Sequence, residues 1–243
     1  MQVALFISDL HLCPTRPAIV RLFGDFLTHQ ARQADALYIL GDLFEYWAGD
    51  DSGDDAFNAA VCAALKDLAD SGTALSFIAG NRDFLADAGF AEASGARMLA
   101  EPTLTDIAGS PTLLMHGDTL CSDDAAYQDF RHEVRSTAWR SRFLAQPLAE
   151  RKAQIEALRR KSEQEKQIKS AAIMDVNAGA VAAALRSHGY PRLIHGHTHR
   201  PAHHSHAVDG HLCERWVLGD WYENGNYLHC DENGCRYLTL PSP

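Results

Sequence analysis

Short apolar runs recur along the chain, and each stops at a polar cluster: residues 3–7, 37–40, 75–78, 112–115 and 193–194. Runs this short, rich in β-branched and aromatic side chains and closed by Gly, Asp, Asn or His, predict strands. Their near-continuous apolarity predicts sheet covered on both faces. Between them lie helix-like stretches over 18–33, 55–71, 124–144, 148–169 and 173–188, and the alternation predicts an α/β architecture. Ala59, Ala60, Ala63, Ala64 and Leu68 read as core or near-core packing of the second of these helices. After residue 200 the pattern becomes strand-rich, with strands expected over 203–208, 214–218, 227–230 and 236–240 and Gly210, Gly225 and Gly234 in the gaps. No repeat or low-complexity linker divides the 243 residues, so one domain over 1–243 is expected. The stretch at about 123–170 breaks the regular alternation and reads as a helical insertion.

Composition excludes whole classes. With 46% hydrophobic and 22% charged residues the chain is neither disordered nor fibrous. No apolar run approaches the ~18 residues needed to cross a bilayer. The opening Met-Gln-Val-Ala-Leu-Phe-Ile-Ser-Asp lacks the basic lead and cleavage site of a secretory signal, so a cytoplasmic protein is expected. The six cysteines, at 13, 62, 121, 213, 230 and 235, include no Cys-x-x-Cys pair, and reduced thiols are expected. A net charge of −10 argues against nonspecific nucleic-acid binding. That charge is unevenly spread: residues 131–169 carry half of all Lys and Arg and are +6, leaving the remainder at −16.

The candidate chemistry lies where the predicted strands end. The first ends in Ser8-Asp9-Leu10-His11, the second in Gly41-Asp42 and the third in Gly80-Asn81-Arg82-Asp83. The fourth ends in His116-Gly117-Asp118 and the fifth in Gly196-His197-Thr198-His199. Each piece alone is weak: an Asp after Gly is usually a turn residue, and a lone His at a strand end is more often a satisfied polar group than a ligand. Together they matter, because the carboxyl ends of strands in open α/β sheets form the ligand crevice. Carboxylate, imidazole and amide oxygen without thiolate favour Mn²⁺, Fe²⁺ or Zn²⁺. Seven protein ligands exceed one ion's needs, and two ions ~3.5–4 Å apart sharing a carboxylate is the economical arrangement. Such a pair suits in-line phosphoryl displacement by water.

In full and in order, these motifs resemble the calcineurin-like metallophosphoesterase superfamily. Leu40-Gly41-Asp42-Leu43-Phe44-Glu45, His116 through Cys121, Ile173 through Asn177 and Leu193 through Pro201 further resemble its family that cleaves UDP-2,3-diacylglucosamine in lipid A biosynthesis. The resemblance spans essentially the whole chain. It implies a four-layer α/β sandwich, two mixed β-sheets flanked by helices, with a helical cap inserted at about 123–170. It also implies two Mn²⁺ ions per chain: Asp9, His11 and His199 on one, Asn81, His116 and His197 on the other, and Asp42 bridging. The implied reaction is attack of water on the uridine-side phosphorus, giving UMP and 2,3-diacylglucosamine 1-phosphate. Asn81, Arg82 and His116 are the implied catalytic residues. Substrate contacts are implied for Asn81, Arg82, Asp124, Ser162, Lys166, Lys169 and His197, although Lys166 stands where relatives commonly carry a small polar residue such as Asn.

Arg82 departs from the Gly-Asn-His found in many metallophosphoesterases. A guanidinium keeps its proton, so it is a poor general acid and a good clamp for phosphate oxygens. A sugar 1-phosphate leaves as a stable anion and needs little protonation, whereas an alkoxide leaving from a phosphoserine needs more. Arg82 therefore favours diphosphate cleavage over protein phosphatase activity. In the basic insertion, Trp139 and Phe143 at i,i+4 with Leu144, Leu148, Ile155 and Leu158 offer an apolar component. Arg151, Lys152, Arg159, Arg160 and Lys161 are expected to attract anionic headgroups, at ~1 kcal/mol each near the surface. The expectation is a peripheral protein on the cytoplasmic side of the inner membrane, with no nucleic acid and no obligate protein partner. Three other readings stay open at this stage: a metallophosphoesterase for another nucleotide diphosphate or phosphodiester, a protein phosphatase, and a non-catalytic scaffold.

Overall fold

A computed structural model describes residues 2–168 and 175–241, as backbone only at 161 and 163–168. One sheet has six strands in the order β11-β10-β1-β2-β3-β4, formed by β1 (Ala4–Ile7), β2 (Ala36–Ile39), β3 (Ala74–Phe77), β4 (Arg97–Met98), β10 (Asn226–Asp231) and β11 (Gly234–Thr239). The other has five in the order β5-β6-β7-β9-β8, formed by β5 (Thr103–Ile107), β6 (Ser110–Leu114), β7 (Arg192–His195), β8 (Ala202–Val208) and β9 (His211–Val217). Both sheets are mixed. β1 runs parallel to β2 and β2 to β3, while β7 runs parallel to both β6 and β9.

Alternation along each strand builds the layers, since successive side chains point to opposite faces. Leu5 and Ile7 join Leu37, Ile39, Leu75 and Phe77 beneath α1 (Pro17–His29), α2 (Ala56–Asp70) and α3 (Ala88–Ser94), where they meet Phe26, Leu65 and Phe90. The other face presents Ala4, Phe6, Ala36 and Leu40 to Leu114, Ile194, Trp216 and Leu218 of the second sheet. That sheet's outer face, Leu113 and Leu193, packs on Val181 and Leu185 of α7 (Ala178–Ser187). The result is four layers: helices, sheet, sheet, helix.

Between β6 and α7 the chain leaves this stack as α4 (Ala125–Arg135), α5 (Thr137–Leu144) and α6 (Leu148–Ile168). The expected single helix over 124–144 is two. Ser136 adopts extended backbone, and its side chain accepts a hydrogen bond from Trp139 N at 3.2 Å, capping a new helix. α3, β4 and β5 were not legible as elements, being short or weakly apolar. In α2 the buried stripe is Val61, Cys62, Leu65 and Leu68. Ala59, Ala60 and Ala63 are exposed, so their assignment to the core is corrected. Helix α7 begins at Ala178 under an Asn177 cap, later than the expected 173; residues 173 and 174 lie outside the described residues.

The expectation of reduced thiols is corrected at one pair. The antiparallel register of β10 and β11 sets Cys230 directly opposite Cys235, and they form a disulfide. Cys13, Cys62 and Cys213 are free thiols. No described helix is long and apolar enough to cross a membrane.

Candidate metal centre and its surroundings

The parallel strands of both sheets deliver their carboxyl ends to one edge. Backbone bonds lock the emerging loops together: Asp9 N donates to Gly41 O (3.1 Å), His11 N to Asp42 O (3.0 Å) and Gly196 N to His116 O (2.8 Å). Positive φ is rare for non-glycine residues, yet Asp9, His11, Asp42, His197 and His199 all adopt it, at 49–69°. Strain of this kind persists where the surroundings over-determine a geometry. Crowding explains the glycines beside them. A Cβ on Gly41 would lie 2.6 Å from both the Gly80 backbone and His116 Nδ1.

All seven residues expected as ligands meet at this edge, in two groups. In the first, His11 Nε2 lies 3.5 Å from His199 Nε2, and His199 Nε2 lies 3.3 Å from Asp9 Oδ1. In the second, Asn81 Oδ1 lies 3.0 Å from His116 Nε2 and 2.9 Å from His197 Nδ1. Asp42 stands between them, its Oδ2 3.9 Å from His11 Nε2 and its Oδ1 3.8 Å from His116 Nε2. Donor atoms about 3 Å apart are what bond lengths of about 2.1 Å around a small divalent ion produce. Asp9, His11 and His199 converge within 4.8 Å, as do Asp9, Asp42 and His116. The arrangement fits divalent metal: hard oxygen and imidazole donors, mostly buried, converge at 2.9–3.9 Å from one another.

The electrostatics of the chain without metal are tense. Burial pushes the Asp42 carboxyl up to about 7. For Asp9 burial acts in the same direction, but His199, His116 and His11 outweigh it and hold that carboxyl well below the usual range. Burial also opposes charge on His116, yet Asp42, Asp9, Asp118 and Glu101 raise it to about 9. His199 rises to about 10 because Asp220 and Asp9 overcome burial. Buried His197, with His116 beside it, falls to about 3. A cation entering here must displace protons from His116 and His199, so loading is coupled to pH.

Arg82 lies at the rim. Its backbone N–H donates to Asp42 Oδ1 (2.8 Å), and its guanidinium faces Glu45 Oε1 at 3.6 Å. Asp83 is not its partner; that carboxylate instead accepts from the backbone N–H groups of Asp42, Leu43 and Gly80. Arg159 of α6 pairs with the same Glu45 oxygen, so two guanidiniums from distant segments share one carboxylate. Asp124 caps α4 by accepting from Tyr127 N at 3.2 Å. Ser162 is exposed on α6. The side chain of Lys166 and all of Lys169 lie outside the described residues. Other insertion residues have structural uses. Phe143 is buried and stacks on Trp139 with centroids 4.5 Å apart, while Arg151 is buried, bonded to Ala48 O and Gln146 O and paired with Asp51. Arg151 is thus spent inside the protein and unavailable to headgroups; Arg160 is exposed.

Sequence reading missed a supporting network. Glu101 Oε1 accepts from the N–H groups of His116 and Gly117 (2.8 and 3.2 Å), and Arg131 joins Glu101 to buried Asp118 at 2.9 and 2.7 Å. Tyr127 donates its hydroxyl hydrogen to Asp118 at 2.8 Å and lays its ring over His197, centroids 5.9 Å apart. Arg135 donates to Gly80 O at 2.9 Å, beside Asn81. Only the Asp118 of His116-Gly117-Asp118 had a visible signal; Glu101 lies in the loop between β4 and β5, and Tyr127, Arg131 and Arg135 sit in a helix that looked like any charged amphipathic segment.

A family model, calcineurin-like phosphoesterase, matches residues 3–201. The chain belongs to that family. Among curated calcineurin-like relatives, the UDP-2,3-diacylglucosamine hydrolase of Aromatoleum aromaticum is 58% identical over 231 residues, covering 95% of this chain and 94% of its own. The protein of the same name from Xanthomonas axonopodis pv. citri is 51% identical over 246 residues, covering 98% and 99%. Of solved structures, a novel archaeal phosphodiesterase aligns with TM-score 0.48 at 12% identity, over 98% of this chain and 100% of its own.

Proposed function

We propose that the chain hydrolyses the diphosphate of UDP-2,3-diacylglucosamine, giving UMP and 2,3-diacylglucosamine 1-phosphate in lipid A biosynthesis. The observation that carries this reading is the 51–58% identity, over nearly the whole length, to relatives named for that reaction. The crevice supports it with a set of donors for divalent metal and a guanidinium at its rim that suits the oxygens of a diphosphate.

Asp9, His11 and His199 would hold one ion and Asn81, His116 and His197 a second, with Asp42 shared; Mn²⁺ is the metal proposed for both. When bound, such ions lower the pKa of water and polarise phosphoryl oxygens. The chain's own residues supply the rest. Asp42 turns one oxygen towards each group, which suits a shared ligand. Arg82, oriented by Glu45, would clamp the oxygens of the attacked phosphate and stabilise charge as it builds. It keeps its proton, so no general acid acts there, and a sugar 1-phosphate needs none. Glu101 fixes the backbone that aims His116, and Leu40 O accepts from its Nδ1–H at 2.8 Å, leaving Nε2 for the metal.

Helices α4–α6 are proposed as a cap of the single domain, with Asp124, Ser162, Lys166 and Lys169 touching substrate. Exposed Phe130, Leu144 and Leu158 on these helices suit acyl chains and a bilayer surface. Peripheral association with the cytoplasmic face of the inner membrane follows from that reading. The deciding experiment incubates purified protein with Mn²⁺ and UDP-2,3-diacylglucosamine in ¹⁸O-water, with an EDTA control. Label in UMP, lost with EDTA, is the expected result. Label in the lipid phosphate overturns the side of attack, and no cleavage overturns the substrate.

A further inference from the structure

Five strand ends were legible as ligand-bearing, but the topology brings a sixth to the same edge. β9 runs parallel to β7, and its apolar run ends in Leu218-Gly219-Asp220, a Gly-Asp step like Gly41-Asp42. It lies beyond the residues that the family model matches. Leu218 N donates to His195 O at 2.7 Å, which sets this loop beside the His197–His199 loop.

The loop reaches the first donor group at several points. Asp220 Oδ2 lies 3.3 Å from His199 Nδ1, on the far side of the ring from the Nε2 that faces His11 and Asp9. Trp221 N donates to Asp9 O at 3.2 Å. Arg16 bonds the carbonyl oxygens of Leu10, His11 and Trp221, tying the loop to the strand that carries Asp9 and His11. Tyr222 stacks its ring on His11, centroids 5.5 Å apart and planes within 16°. Asp220 is itself held: its Oδ1 accepts from Tyr222 N at 3.1 Å and its carbonyl from Asn226 Nδ2 at 2.7 Å. One carboxylate oxygen fixes the loop, and the other is free to act on the histidine.

We infer that Asp220 is a positioning residue for the first metal: it takes the Nδ1–H of His199, fixes the tautomer that leaves Nε2 as the donor, and raises that nitrogen's basicity. Metal-ligating histidines commonly carry an outer carboxylate in this role, and losing one costs about 10–100-fold in metal affinity. The inference rests on the reading of His199 as a ligand. It adds a requirement on this chain's C-terminal loop that neither the motifs nor the ligand set contains.

The test is Mn²⁺ titration, by calorimetry and by metal analysis after dialysis, of metal-free wild type, Asp220→Asn and His199→Ala, together with each protein's metal-free Tm. Asp220→Asn keeps the shape and an oxygen for Tyr222 N but offers His199 an amide in place of a carboxylate. The expected result is about a tenfold or greater loss of affinity at one of two ions, the other unchanged, with the metal-free Tm kept. Asp220→Glu is expected to recover part of the loss. Wild-type binding by Asp220→Asn alongside weakened binding by His199→Ala overturns the positioning role alone. Wild-type binding by both overturns the ligand reading of His199 and the inference with it. Equal weakening of both ions with a lowered metal-free Tm makes Asp220 a structural residue and also overturns the inference.

Discussion

The two donor groups are built alike but braced differently. Asp9, His11 and His199 are held by loops at the strand ends and by the 219–222 loop, all within the four-layer body. Asn81, His116 and His197 are braced by α4: Arg135 on Gly80 O, Arg131 through Glu101 to the His116 backbone, and the Tyr127 ring on His197. Every member of the second group has a support from the insertion. A helix shift on substrate binding is therefore expected to reach the second group through these braces, which would couple the cap to that half of the centre.

The largest expected effect removes the element common to both halves. Asp42→Asn leaves the fold but removes the charge shared between the groups, and a loss on the order of 10³-fold in kcat is expected. Metal analysis should show both ions affected. A variant that loses one ion only would mean that Asp42 belongs to one half, and the symmetry of the comparison would fail. Next comes Arg131→Ala, which strips the cation from Asp118 and Glu101. Asp118 keeps Arg135 at 3.8 Å and the Tyr127 hydroxyl, and Glu101 keeps two backbone donors, so the cost is that of lost charge-assisted hydrogen bonds, about 1.5–3 kcal/mol, read as a lowered denaturation midpoint. About a 10–100-fold loss of affinity is expected for one ion. If Arg131→Ala weakens the same ion as Asp220→Asn, the division of labour between loop and helix is wrong.

Arg82→Lys tests the clamp apart from both groups. A lysine keeps the charge but loses the planar fork that matches phosphate oxygens, so kcat should fall about 10²-fold with metal content unchanged. A smaller effect, pH, sharpens the comparison. In the metal-free chain His116 is raised to about 9 and His199 to about 10. Groups raised on folding stabilise fully below their unfolded value of 6.5 and lose that contribution as pH rises through the folded values. EDTA-treated protein should therefore lose Tm between pH 7 and 10, while added Mn²⁺ stabilises it increasingly over the same range because binding releases those protons. A metal-free Tm that is flat across this window would contradict the pairing.

These contrasts also explain what was legible in the sequence. Strand ends could be read because a ligand type directly after an apolar run is a local signal: Asp9, Asp42, Asn81, His116 and His197 each follow one. Asp220 follows one too, but β9 belongs to a region whose pairing was unknown, and only its parallel register with β7 brings that Gly-Asp step to the edge. Tyr127, Arg131 and Arg135 were illegible for a different reason. Their spacing is that of any helix, and what they touch, Glu101, Asp118 and Gly80, is set by docking of the insertion, which periodicity does not encode. Arg151 shows the same limit in reverse. Its charge read as surface, while its burial and its bonds to Ala48 O and Gln146 O depend on how α6 packs.

The smallest predicted effect uses that last contrast to separate coupling through α4 from the insertion's charge in general. Lys152 follows Arg151 on α6 and pairs with Asp55, but both partners are partly exposed. Exposed pairs are worth about 0–1 kcal/mol, so Lys152→Ala should change stability by no more than roughly 0.5 kcal/mol and leave activity and metal content as they were. Arg151→Ala, by contrast, orphans the buried Ala48 carbonyl and frees the part-buried Gln146 carbonyl, at about 1–3 kcal/mol, and should lower the midpoint without altering metal affinity, because neither carbonyl touches a donor. The two variants remove equal charge from the same helix. Should both reduce Mn²⁺ affinity alike, the second group would be responding to the positive field of the insertion, and the specific bridge through Arg131 would no longer be needed to explain its behaviour.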